Sequence, residues 1–476
     1  MLFNLITMRK LLLTIAALQI VLNCFGQVKM PPIPDSWKVK DRDGYISAWD
    51  STTKVSGPAS LRITGPATPD IKYLPFSQIV EIGVEKLSRI NINAFIKTKD
   101  VTGTATLWCQ VWDENDKQIG FQNSQGQIGT ISGTSDWKNY TMNLTVNASA
   151  KKLLIGGYLM GPGKAWFDDF SLTYVEPSNV PASKEVKEFA NEVTNIVKTN
   201  SIYTDSLNWT QVEADLDELS YGLQTAAQAS VLTDYILQQL RKAGDNHSFI
   251  QAKVAAQQYA TKNSNPIPPE GKLIDNSIGY ISVPGFLSTS DTAMRSFSRK
   301  IQTLIHELDT KNNIKGWIVD LRGNTGGNMW PMLAGLTPLT GAGPLGYFVQ
   351  NVKGVESKNV WKTDVVKVKN AYKLKKPDTK IAVLIGPRTS SSGEMTTVAF
   401  IGRSNTRLFG QPTGGYTTAN RTFALSDGSS LLLASSYVAD RNQKKYLSKI
   451  IPDEMVTPQP GLDAEVKAAE RWLFEK

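Results

Sequence analysis

Histidine and cysteine are scarce in this chain, with two of each in 476 residues. His247 and His306 are too few for an imidazole-rich metal site, and Cys24 with Cys109 cannot build a cysteine-rich zinc site. Any histidine-based chemistry must use one of those two imidazoles. Removal of a leader ending at Gly26 leaves Cys109 alone, which excludes an intrachain disulfide. Clustered positive charge is also missing. The formal charge is +9, two units of which come from Arg9 and Lys10, and the other cations are interleaved with acids apart from a short patch at Lys373 to Lys376. A nucleic-acid surface lines its cations along one element, so nucleic acid is not an expected partner. Internal repeats and low-complexity stretches are absent.

What is present begins with an export leader. In residues 1–26, Arg9 and Lys10 precede the apolar run Leu11 to Leu22, and Cys24-Phe25-Gly26 supplies the cleavage region. The run is too short to span a bilayer, so no transmembrane segment is expected. Met8 is an alternative start. Cys24 is an alternative lipoprotein cysteine, although Asn23 stands where a small residue is usual. The expected location is the periplasm, the cell surface or the extracellular space.

From residue 27 to 177 the sequence reads as an all-β sandwich. Short strands are expected at Ser60–Thr64, Ile90–Lys97, Ala105–Trp112, Trp137–Val146, Lys152–Tyr158 and Lys164–Tyr174. The stretch Gly161 to Leu172, GPGKAWFDDFSL, resembles the last strand of jelly-roll modules of the carbohydrate-binding type. That resemblance implies a possible glycan partner, with Trp49, Trp108, Trp112 and Trp137 as a stacking platform, and a structural calcium held by Asp168 and Asp169. Core aromatics and solvated turn acids account for the same residues.

After the linker Pro177 to Pro181 the period changes. Helices are expected at Lys184–Lys198, Val212–Tyr221 and Ser230–Ala243 within residues 178–270. Residues 271–476 alternate strands and helices, with strands at Ile278–Val283, Gly316–Leu321 and Lys380–Ile385 and a helix over Thr292–Leu308. The overall expectation is a multidomain chain ending in an α/β layer fold.

Three segments carry candidate chemistry. The strand Ile381–Ile385 runs into Gly386 to Glu394, GPRTSSSGE, and then a helix, the kind of turn that exposes an activated serine beside helix N–H groups. The same letters, Ser391 to Glu394, also spell a capping box that needs no chemistry. Gly316 to Asn328, GWIVDLRGNTGGN, is a buried strand followed by glycines whose N–H groups can converge on an anion; without a terminal Lys-Ser/Thr it is not a phosphate loop. Gly244 to Ser248, GDNHS, places His247 in a loop after a helix, whereas His306 reads as a helix-surface residue.

The stretches GDNHS, GYISVPGF, VDLRGNTGGN and GPRTSSSGEM, in that order, with the ending Ile450 to Val456, resemble the tail-specific or C-terminal processing family of serine peptidases over residues 184–458. The resemblance implies a crotonase-like α/β core and a peptide or protein substrate, with no cofactor required. It makes Ser391 the nucleophile, His247 the base of the tricorn-like branch, the Gly326-Gly327 loop one oxyanion donor and the Ser392 N–H the second. Two departures stand out. Tyr416 occupies the place of the lysine of the Ser-Lys branch, and Tyr446 stands near the expected glutamate of the tricorn-like branch, which leaves the orienting acid to Asp440 or Glu394. His247 is also too close in sequence to Tyr280 to admit a PDZ module between them. A secreted serine endopeptidase is the first expectation; a peptidase-fold scaffold that has lost turnover and acts through its sandwich is the alternative.

Overall fold

The computed structural model describes residues 27–29, 36–67, 72–226, 228–261, 267–341, 343–352, 355–361, 365–368, 371–459 and 461–475. The expected leader, with Cys24, lies outside them. Ten strands make the N-terminal sheet: Gln27–Lys29 (β1), Lys38–Val39 (β2), Ile46–Asp50 (β3), Ser60–Thr64 (β4), Tyr73–Glu81 (β5), Ser88–Trp112 (β6), Gln118–Asn123 (β7), Ile131–Val146 (β8), Lys152–Met160 (β9) and Lys164–Tyr174 (β10). The long strand β6 organises them. Its first half pairs with β8 and β10, its second half with β7 and β9, so one continuous sheet turns back on itself around a shared core. Alternation along β6 buries Ile90, Ile92, Ala94 and Ile96 in that core, as a period of two requires. The sequence suggested two strands here, Ile90–Lys97 and Ala105–Trp112. They are one, because the turn-like residues between them are absorbed as register shifts, with Asp100 at φ 54°.

The helical segment that follows comprises Lys184–Asn200 (α2), Trp209–Ser220 (α3) and Ser230–Lys242 (α4), while the short helix Ser124–Ile128 (α1) belongs to the sheet region. Their apolar faces bury Val186, Phe189, Val193, Leu216, Ile236 and Leu240 together with Leu431 and Leu433, which come from a strand far along the chain, Ser430–Ala439 (β20). That strand is central to a second sheet. It pairs with Phe249–Gln251 (β11), which leads into the helix Lys253–Thr261 (α5), with Tyr347–Val352 (β15), itself paired with Val355–Val360 (β16), and with Thr418–Ala424 (β19) and Lys445–Tyr446 (β21).

The third sheet has the order Glu270–Ile274 (β12), Ile278–Ser282 (β13), Gly316–Asp320 (β14), Lys380–Ile385 (β17), Thr406–Gly410 (β18) and Glu454–Met455 (β22). All its neighbours are parallel except β12 with β13. Both faces are covered, which explains the unbroken apolar runs in β14 and β17. Trp317, Val319, Ile381, Val383 and Ile385 face one core with helices Asp291–Lys311 (α6), Met329–Thr340 (α7) and Ser392–Val398 (α8). Ile318, Ala382 and Leu384 face the other, under Ala464–Phe474 (α9). Among the described residues no helix is long and apolar enough to cross a membrane.

The N-terminal sheet is joined to the helical segment by polar contacts. Gln127 Nε2 donates to Asp234 Oδ2 at 2.7 Å, Gln238 Nε2 to Thr145 O at 3.2 Å and an Arg241 guanidinium N–H to Phe121 O at 3.3 Å. Asp234 is buried there, and that burial raises its pKa to about 7 against the opposing hydrogen bonds of Gln122 and Gln127 and the charge of Arg241.

Candidate active site

Strand β17 ends at Ile385, and the loop to α8 is held from several sides. Thr389 Oγ1 donates to Leu321 O and accepts from Gly386 N, while Ser390 N donates to Asn324 O. Ser391 then takes φ 53° and ψ −121°, a conformation that a residue with a Cβ adopts only under constraint. The constraint is Glu394. It has no solvent exposure, and its Oε2 accepts from Ser391 N at 2.9 Å and Tyr416 N at 2.7 Å, while Oε1 accepts from Thr413 Oγ1 at 2.5 Å and Gly415 N at 2.8 Å. Burial pushes the Glu394 pKa up and these four donors oppose the rise. The capping-box contact from Glu394 to the Ser391 N–H is therefore present and also fixes the serine in a strained turn.

The imidazole arrives from the other side. After α4, Gly244 turns at φ 106°, and the Asp245 carboxylate accepts the N–H groups of His247 and Ser248, both at 2.9 Å. Asn420 Nδ2 donates to His247 O at 2.8 Å. The half-buried ring then lies with Nε2 2.9 Å from Ser391 Oγ and Nδ1 2.9 Å from Thr418 Oγ1. In the tautomer that lets Nε2 accept the serine proton, Nδ1–H donates to Thr418. Desolvation lowers the His247 pKa to about 4, opposed by the charge of Asp245 and the hydrogen bond with Thr418.

Gly326 and Gly327 form the facing wall. A Cβ on Gly326 would stand 2.8 Å from both Ser390 O and Ser391 Cβ, and one on Gly327 would stand 2.1 Å from Phe286 O. Both have positive φ, so these positions require glycine. Their N–H groups are not equivalent. Gly326 N donates to Asn324 Oδ1 at 3.0 Å, which removes it from the expected pair of oxyanion donors. Gly327 N has no such partner among the described residues. Ser392 Oγ donates to Gly327 O at 2.6 Å, fastening that loop to the first turn of α8, where the Ser392 N–H is one of the donors a helix leaves unpaired.

Neither candidate for the orienting acid reaches the imidazole. Glu394 is consumed by the contacts above. Asp440 caps the turn after β20, where Oδ1 accepts from Asn442 N and Lys444 N and Oδ2 from Tyr446 OH at 2.9 Å. Thr418, on β19, stands where an acid was expected. Its signal in the sequence was at best the hairpin turn Asp427-Gly428 between β19 and β20, which marks the strand but not its partner. His306 is exposed on α6, edge-on to Tyr372 at 4.8 Å.

The expected calcium ligands serve as a clasp. Asp168 Oδ2 accepts from Val55 N at 2.6 Å and Ser56 N at 3.2 Å, and Asp169 Oδ1 from Ser56 Oγ at 2.5 Å. Among the described residues no group of three or more His, Cys, Asp or Glu is arranged to hold a metal. The four tryptophans do not share a platform either. Trp49 on β3 and Trp137 on β8 are separated by three strands, and Trp108 and Trp112 lie in the second half of β6.

A serine and a histidine in hydrogen-bond contact at a strand-to-helix turn of an α/β sheet is an arrangement suited to a serine hydrolase. Comparison with known proteins gives the family. Residues 277–456 match Peptidase family S41. The chain is 31% identical over 260 residues to the "Nisin-resistance protein" of Lactococcus lactis subsp. lactis, covering 53% of this chain and 77% of that one. It is 28% identical over 207 residues to the "Carboxy-terminal processing protease CtpA" of Bacillus subtilis (strain 168), covering 42% and 41% respectively. Among solved structures, the "Structure of a lipoprotein from Streptococcus agalactiae" superposes with a TM-score of 0.52 at 25% identity, over 63% of this chain and 99% of that one. The chain belongs to peptidase family S41 and is a serine peptidase with a mostly β N-terminal region; its substrate is a protein or peptide.

Proposed function

We propose that Ser391 is the nucleophile and His247 the general base of an exported endopeptidase, and that the N–H groups of Gly327 and Ser392 bind the oxyanion. The observation that carries this reading is the 2.9 Å contact between His247 Nε2 and Ser391 Oγ, made across 144 residues of sequence. In acylation the Ser391 Oγ–H proton passes to Nε2 as the Oγ–C bond forms. The same proton then passes to the leaving amine as the C–N bond breaks, and water repeats the sequence to release the acyl group. Base assistance supplies about 10²–10⁴-fold and an oxyanion donor about 10²–10³-fold. A fluorophosphonate probe should label Ser391 in the wild type and not in Ser391→Ala, and Ser391→Ala should no longer cut peptides. Equal labelling of both proteins would place the nucleophile elsewhere.

Export rests on the leader at residues 1–26. The Streptococcus agalactiae structure is described as a lipoprotein, which keeps acylation of Cys24 as the alternative end of that leader. Metabolic labelling with a palmitate analogue distinguishes the two. We read residues 27–177 as a jelly-roll sandwich, 178–270 as the helical entrance to the peptidase and 271–476 as its crotonase-like core. The separation of the expected tryptophans favours a structural rather than a glycan-binding sandwich.

A further inference from the structure

Two half-exposed aromatic side chains lie near the imidazole, one in space and one in sequence. The Tyr416 ring, 39% exposed, is centred 5.6 Å from the His247 ring, and its backbone N–H is pinned to Glu394. Phe249, 43% exposed, follows His247 by two residues at the start of β11. Ser248 between them is buried with its hydroxyl on Asp245, and Ile250 packs into the helical core, so Phe249 is left on the outer face of this short strand. Isolated exposed apolar residues are ordinary. One packed beside the imidazole and another two residues along the same segment are a feature of this site.

The chemistry says which part of a substrate they meet. The carbonyl oxygen of the scissile bond points at the Gly327 and Ser392 N–H groups, and the leaving nitrogen must lie where His247 can protonate it. Chain on the C-terminal side of the cut therefore departs past the imidazole and the Tyr416 ring beside it, with Phe249 the next exposed side chain along from His247. Leu287, 52% exposed, lies against the Gly327 backbone on the oxyanion side instead. We propose that Tyr416 and Phe249 form a subsite for a bulky apolar or aromatic residue immediately C-terminal to the cleaved bond. The proposal rests on the Ser391–His247 assignment. Tyr416 stands where the related Ser-Lys enzymes carry their lysine, so in this chain the position contributes a binding surface in place of a base.

The test is cleavage-site profiling of a randomised peptide library by the full chain and by Tyr416→Ala, Phe249→Ala, Tyr416→Phe and Phe249→Leu, with fluorophosphonate labelling of Ser391 run on each. The wild type should favour aromatic and large aliphatic residues directly after the cut. Each alanine variant should lose about 10-fold of that preference, the scale set by a hydrophobic subsite contact. Tyr416→Phe and Phe249→Leu should keep it, and labelling should persist throughout. Unchanged profiles in both alanine variants overturn the subsite, as does a change confined to residues before the cut. Loss of labelling in Tyr416→Ala in proportion to turnover on every peptide would show that the ring serves His247 and not the substrate. A wild type that neither labels nor cuts defeats the peptidase assignment itself.

Discussion

Thr418 Oγ1 lies 2.9 Å from His247 Nδ1, in the place where a carboxylate would orient the base of a three-residue catalytic set. A hydroxyl can fix the tautomer and the ring plane, but it carries no charge to raise the basicity of the imidazole. Removing it should cost about 1–3 kcal/mol of transition-state stabilisation, roughly 5- to 150-fold in kcat. Thr418→Val is expected to fall in that range with KM little changed, and Thr418→Ser to recover most of the rate. Steady-state kinetics of the two variants check this; a fully active Thr418→Val enzyme would remove threonine from the mechanism.

The pH profile follows from the burial of the same ring. With a pKa lowered to about 4, His247 is unprotonated and able to act as a base throughout the neutral range. The acidic limb of kcat/KM should lie near pH 4, well below the ordinary histidine value near 6.5. A limb centred at 6.5 would contradict the desolvated dyad.

Glu394 should matter in a different way. Each of its oxygens accepts two donors, so Glu394→Gln must turn an NH₂ group toward N–H or O–H groups from Ser391, Thr413, Gly415 and Tyr416. The expected loss is about 1–3 kcal/mol of stability, together with slower labelling of Ser391 because its strained turn relaxes. Denaturant unfolding and labelling rates measure the two effects separately.

Asp234 and His247 oppose each other in the pH dependence of stability. The native histidine pKa is depressed, so its contribution is present above about pH 6.5 and is lost as pH falls through 4. The native Asp234 pKa is raised to about 7, so its contribution is present below about pH 3.9 and is lost as pH rises through 7. Asp234→Asn removes the second effect. Urea unfolding between pH 5 and 8 should show the variant losing less stability than wild type on the alkaline side; parallel curves would mean that Asp234 does not titrate in this window.

Much of the peptidase half was legible in the residues, and the reason is local. The runs in β14 and β17 are apolar without a break because both faces are covered, and the amphipathic period of α2, α4 and α6 marks each helix to within a few residues. The Ser391 loop and the glycine wall also announce themselves, since a strand, a turn and a helix N-terminus are adjacent in sequence. The N-terminal sheet was harder. Turn-like residues inside β6 imitate a strand end, and only pairing with β8, β9 and β10 shows that the strand continues.

Residue order alone determined which groups could do chemistry here: a run of serines between a buried strand and a helix, two histidines to choose between, and glycines where a backbone must pass closely. Tertiary structure decided the rest, because hydrogen-bond partners are set by distances between remote segments. It gave His247 a threonine in place of either candidate acid and assigned Glu394 to holding the Ser391 turn. It took Gly326 N–H for Asn324 and gave Gly327 N–H no partner among the described residues. Composition and spacing carry no information about which of two neighbouring amides is already bonded.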